Sequence, residues 1–116
     1  MKKVSFTKFP PAALAHGATA MMNGATKYGP YNWRENPVVA SIYIDACMRH
    51  LFAWFDGEEV ASDSGVHHLG HAMACLAILL DAQETGNLVD DRPSVNQGAY
   101  NSLVNRLNEE IAGRNR

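Results

Sequence analysis

From Val66 to Gln83 the chain is apolar on nearly every side. Val66, Leu69, Met73, Leu76 and Leu80 recur at the helical period, and Ala72, Ala74, Ala77 and Ile78 widen that face until little stays polar beyond the first turn. A helix of this kind is poorly suited to a surface and belongs at the centre of other helices. Its longest apolar run, Ala72 to Leu80, is about half of what spans a bilayer, so no membrane crossing is expected.

Three more segments supply neighbours for it. Lys8 to Pro11 reads as an extended lead-in, with Pro10 and Pro11 suited to a helix start. The spacing predicts a helix from about Ala12 to Asn23, with Ala13, Leu14, Gly17, Ala18, Met21 and Met22 as its small-residue face and Gly24 as its stop. Ala25 to Pro37 reads as a loop rich in aromatics and cations. A second helix is predicted from about Val38 to Phe55, with Ile44, Met48, Leu51 and Phe55 on one face and Cys47 beside it. Glu58 to Gly65 is a polar link whose Asp63 or Ser64 is placed to cap the central helix. Gly86 to Val95 is turn-rich, and a last helix from about Gln97 to Ala112 presents Tyr100, Leu103, Val104, Leu107 and Ile111. No segment alternates convincingly as a strand. The expectation is an all-α, four-helix bundle, one domain over residues 1–116.

Composition narrows the partners. The chain has 116 residues, 47% hydrophobic, with 10 basic against 12 acidic side chains and a formal net charge of −2. No basic stripe stands out, which argues against a duplex nucleic acid and leaves room for a small anion held by local cations. Cys47 and Cys75 sit in separate apolar helices without C-x-x-C spacing and read as reduced core residues. No apolar stretch follows Met1-Lys2-Lys3, so no signal peptide is expected and a soluble, cytoplasmic protein is.

Chemistry gathers between Asp45 and His71. This stretch holds Asp45, Arg49, His50, Glu58, Glu59, Asp63, His67, His68 and His71, four of the five histidines among them. His68 and His71 are one turn apart and share a helix face, where they can bind one metal or flank one phosphate. Equally, His67 and His68 can be first-turn polar residues and His71 a hydrogen-bonded core histidine. Glu58, Glu59 and Asp63 offer carboxylates to a hard divalent ion, with Asp63 as readily an N-cap and Glu59 as readily solvent-exposed. Arg49 can pair with Asp45 at i, i+4, yet Leu51-Phe52 follow at once, so Arg49 or His50 is expected to face the interior. Lys27, Tyr28, Asn32, Trp33 and Arg34 suit a nucleotide, with cations for phosphate, aromatics for the base and an amide for base edges. Tyr28 and Trp33 serve as well as core anchors of a tight loop.

The string Gly24-Ala25-Thr26-Lys27-Tyr28-Gly29-Pro30-Tyr31-Asn32-Trp33-Arg34 is more specific than any of these spacings. After it come Tyr43-x-x-Ala46-x-x-Arg49-His50-Leu51, then Gly57-Glu58, then Ser64-Gly65-x-x-His68-Leu69-x-His71-Ala72. Over roughly Pro10 to Leu80 the chain resembles the phage-associated dATP/dGTP diphosphohydrolase N-terminal domain family, relatives of the MazG-type all-α nucleotide pyrophosphohydrolases. The resemblance implies hydrolysis of a purine deoxynucleoside triphosphate to monophosphate and pyrophosphate with Mg²⁺ or Mn²⁺. By motif position, Glu58, Asp63, His68 and His71 would hold the metal, and Glu58, His68 and His71 would serve catalysis. Lys27, Tyr28, Asn32, Trp33, Arg34, Arg49 and His50 would bind the nucleotide. The resemblance also implies a homo-oligomer, dimer or tetramer, working in the host cytoplasm if phage-encoded.

Two departures accompany it. Ala61 and Asp63 stand where the family pattern has an acidic D-x-E pair before Ser-Gly, and the paired acids of MazG helices are absent. Fewer carboxylates weaken the hold on a hard ion. The rival expectation is therefore a catalytically inactive protein that sequesters a nucleotide or cyclic nucleotide.

Overall fold

The structure, a computed structural model, describes residues 2–93 and 98–114. After a single 3-10 turn at Phe6–Lys8 come helices α1 (Pro11–Tyr28), α2 (Asn32–Glu35), α3 (Ala40–Phe55), α4 (His68–Thr85) and α5 (Ala99–Arg114). Two short strands, β1 (Val38–Val39) and β2 (Leu88–Val89), pair in parallel. The all-α reading holds. The expected link to Val95 and helix start at Gln97 fall outside the described residues.

α4 is central, with α1 on one side and α3 on the other. What it buries differs from the expectation. Gly70, Ala72, Ala74, Cys75, Ala82 and His68 are buried, while Leu76 and Leu80 remain 43% and 68% exposed. Close approach explains this. A Cβ on Gly70 would lie 2.6 Å from the His16 carbonyl oxygen of α1, so only glycine fits that crossing. Small side chains then fill both seams: Ala20, Val66 and Ala74 toward α1, and Cys47, Ala72 and Cys75 toward α3. The larger residues are left outside, Ile44, Met48, Leu51 and Phe55 of α3 among them.

α1 runs past its predicted stop. Gly24 is helical, and the helix ends only where Gly29 takes φ +100° and its N–H bonds the Ala25 carbonyl. Pro30 follows and prevents continuation. Lys27 and Tyr28 are consequently last-turn helical residues rather than part of a loop.

The corner after α1 is tied to the far end of α4. Asn87 donates its side-chain amide to the carbonyls of Trp33 and Asn36, at 2.9 and 2.6 Å, and so satisfies the end of α2. Val38, fully buried, pairs with Leu88 through β1–β2. α5 buries none of its residues, so the expected fourth bundle helix is formed but not packed into the core. Tyr100, Leu103, Leu107 and Ile111 keep its apolar stripe exposed. Among the described residues no helix is long and apolar enough to cross a membrane.

Candidate functional site

The site is built on the α3–α4 connection. Gly57 at φ +103° and Gly65 at φ +70° make its two turns. Ala61 N–H bonds Val66 O and Gly65 N–H bonds Ala61 O, closing the loop. His68 N–H bonds Glu59 O, which lays the Glu58–Val60 backbone along the start of α4. Each glutamate is thereby set against a different imidazole.

His67, rather than Asp63 or Ser64, caps α4. Its Nδ1 accepts from Leu69 N–H at 3.0 Å, so Nε2 carries the hydrogen that Glu59 Oε2 accepts at 3.1 Å. His16 of α1 rests on the same ring, centroids 4.9 Å apart. Ser64 instead accepts from Val66 N–H and lies 2.8 Å from His71 Nε2. One residue on, His68 Nε2 lies 2.8 Å from Glu58 Oε1 and His68 Nδ1 lies 2.8 Å from His50 Nδ1. His50 stacks on His71, centroids 4.5 Å apart and planes 14° apart. All five histidines thus meet at one corner.

His50 and His71 face a cleft of about 430 Å³ between α1, α3 and α4. That is within the roughly 300–1,000 Å³ of small-molecule sites. Asp63 lines the same cleft and acts on both rings. Burial, then repulsion from His71 and His68, holds His50 below its ordinary 6.5, with Asp63 pulling the other way. Burial lowers His71 too, again opposed by Asp63. The lowered pKa favours the neutral form of both rings.

Lys27, Tyr28, Asn32 and Trp33 line the same cleft, and the Lys27 charge reaches His71. Asn32 Oδ1 accepts from Asn36, which leaves the Asn32 amino group for a ligand. Arg34 turns away from the cleft: Nε and Nη2 donate to the two Asp81 oxygens at 2.7 and 2.8 Å, and the Trp33 ring lies under its guanidinium. Arg49 is exposed and outside the lining, and no ion pair joins it to Asp45 among the described residues. Of the Arg49-His50 pair, His50 faces inward.

The expected metal set is not brought together. Among the described residues no three His, Cys, Asp or Glu side chains are grouped to hold an ion. His68, 6% exposed, uses both ring nitrogens on Glu58 and His50, and neither it nor Glu58 lines the cleft. As arranged, Glu58, Asp63, His68 and His71 do not fit a shared metal.

Three contributors escaped sequence reasoning. Asn23 lines the cleft one turn before Lys27 and becomes visible once α1 is carried through Gly24. Tyr43 lines it as a phenol whose pKa burial raises. Cys75 sits in its wall, and burial pushes its thiol to about 11, which keeps it protonated and a poor nucleophile. Only Tyr43 carried a signal, as part of the quoted motif.

A helical domain with a ligand-sized cleft lined by imidazoles, a lysine, aromatics and amides has the form of a small-molecule site. The chain belongs to the family of the dATP/dGTP diphosphohydrolase, N-terminal, whose family model matches residues 1–92. The match reaches beyond Pro10–Leu80 at both ends and stops short of α5. No curated protein and no solved structure matches the chain.

Proposed function

We propose that the cleft binds a purine deoxynucleoside triphosphate and that the chain hydrolyses it to monophosphate and pyrophosphate. One observation carries this reading: Lys27, Asn32, Tyr28 and Trp33 share a cavity with His50, His71 and Asp63. Lys27 offers charge to phosphate, an aromatic face takes the base, and Asn32 reads its edge. Neutral imidazoles in the same cleft can accept a proton from water. The family description names dATP and dGTP and supports a purine substrate. Mg²⁺ or Mn²⁺ enters with the triphosphate it accompanies in solution, where it offsets phosphate charge. Work on nucleotide pools belongs in the cytoplasm.

The test is incubation with each dNTP and NTP plus Mn²⁺, with products separated by ion exchange. Monophosphate and pyrophosphate from a purine dNTP are expected. Release of triphosphate, or preference for a pyrimidine, sinks the reading.

A second reading, sequestration of a nucleotide or cyclic nucleotide without chemistry, is favoured by a specific observation. Ala61 is buried at 4% exposure where the family pattern has an acid, and the remaining donors do not converge. It predicts a nucleotide retained chemically intact at every Mn²⁺ level.

The same reading includes a homo-oligomer, dimer or tetramer. Met48, Leu51, Phe52 and Phe55 on α3 and Leu103, Leu107 and Ile111 on α5 are exposed apolar residues, more than an isolated small domain ordinarily shows to water. Light scattering that returns the mass of one chain would remove this part.

A further inference from the structure

We propose that Glu58 and His68 are a positioning pair that holds His50 in its Nδ1–H form, so that the Nε2 lone pair of His50 opens onto the cleft as the catalytic base. The inference rests on the hydrolase reading and assigns roles within it.

With His68 taken as neutral, the hydrogen bonds set the order. A carboxylate only accepts, so His68 Nε2–H donates to Glu58 Oε1 across 2.8 Å. A neutral His68 then has a bare Nδ1, and the 2.8 Å contact with His50 Nδ1 takes its hydrogen from His50. His50, neutral in turn, is left with an unprotonated Nε2. That atom has no protein partner among the described residues. No buried side-chain nitrogen or oxygen there lacks a partner, so His50 Nε2 is open to solvent, on a ring that lines the cleft. A free histidine prefers the opposite tautomer, so the pair imposes this one. The near-parallel His71 ring, 4.5 Å away, restrains rotation of His50.

His71 is the weaker candidate. Its Nε2 meets the Ser64 hydroxyl, which can donate or accept, so no charged group sets its tautomer. Glu58 and His68, expected above as catalytic groups, act instead through His50.

In the step, the water oxygen bonds to the α-phosphorus while one water proton passes to His50 Nε2. The bond from the α-phosphorus to its bridging oxygen breaks, and its electron pair leaves with pyrophosphate. His50 becomes an imidazolium whose Nδ1–H still meets His68, with the Glu58 charge behind it. The proton then returns to solvent.

The test uses the full chain labelled with ¹⁵N, at mildly alkaline pH, with long-range ¹H–¹⁵N spectra reading each imidazole, beside steady-state kinetics on dATP and dGTP. Wild-type His50 is expected as Nδ1–H and His68 as Nε2–H. Glu58→Ala is expected to shift His50 toward Nε2–H and to lower kcat on the order of 10²-fold at unchanged KM. Glu58→Gln keeps an accepting oxygen and is expected to restore the tautomer and part of kcat. Glu59→Ala, which removes the parallel partner of His67 outside the cleft, reports the purely structural cost and should leave kcat as it was. Turnover with His50 as Nε2–H, or with kcat unmoved by Glu58→Ala, overturns the relay and spares the hydrolase reading. A wild type that hydrolyses no dNTP yet shows the Nδ1–H ring overturns the hydrolase reading and the proton step, while the positioning pair stands.

Discussion

His71 lies flat against His50, with 14° between the ring planes, and the two share one partly buried wall of the cleft. Protonating either ring places a charge beside the other and beside His68. Asp63 opposes this at both rings, while Arg49 adds to it at His50 and Lys27 at His71.

The pH dependence of stability follows from that arrangement. Folded His50 and His71 take up protons less readily than their unfolded counterparts, whose pKa is 6.5. Their contribution is therefore complete above that value and is lost as pH falls through the lower folded values. Urea midpoints measured from mildly alkaline to mildly acid pH should decline across this window, and less steeply in His50→Gln. A flat profile would contradict the burial of the rings.

Two glycines should respond in opposite directions. Gly70→Ala drives a methyl to 2.6 Å from His16 O, and neither backbone yields easily, so a loss of about 1–3 kcal/mol is expected. Gly24 is mid-helix with open space around it, and Gly24→Ala should gain roughly 0.5–1 kcal/mol. Chemical denaturation reads both.

Lys27 and Arg34 separate recognition from architecture. Lys27→Ala should weaken nucleotide binding on the order of tenfold, since it removes a cation from the cleft. Arg34, held by Asp81, should matter much less to affinity. Titration calorimetry with a non-hydrolysable dATP analogue decides, and equal losses would place Arg34 in the ligand's reach after all.

Cys47 and Cys75 are free, buried and raised in pKa. Both should resist alkylation in the folded chain at pH 8 and react promptly in denaturant. Fast labelling of native Cys75 would mean that the cleft wall opens.

Helix content was readable from spacing, because a 3.6-residue period needs no partner to be recognised. That Arg49 or His50 turns inward was readable as well, from the apolar pair Leu51-Phe52 beside them, but not which of the two. The buried face of α4 was not. Hydropathy ranks Leu76 and Leu80 above Gly70 and Ala72, yet how near two helices can approach depends on side-chain size, and the seams select the small residues. The end of α1 was misread for a related reason: Gly24 and Gly29 are identical letters, and only the turn at Pro30 shows which one needs positive φ.

Residue order along the chain was enough to establish the helical class, the supply of imidazoles and acids around residues 45–71, and the motif that marks the family. Tertiary structure decided which of those groups meet. Sequence places Glu58, His68 and His50 on three different segments, and a hydrogen bond reaches only about 3 Å. Their alignment therefore depends on the turns at Gly57 and Gly65 and on the close seams around α4, and those turns and seams set His50, rather than His68, at the cleft.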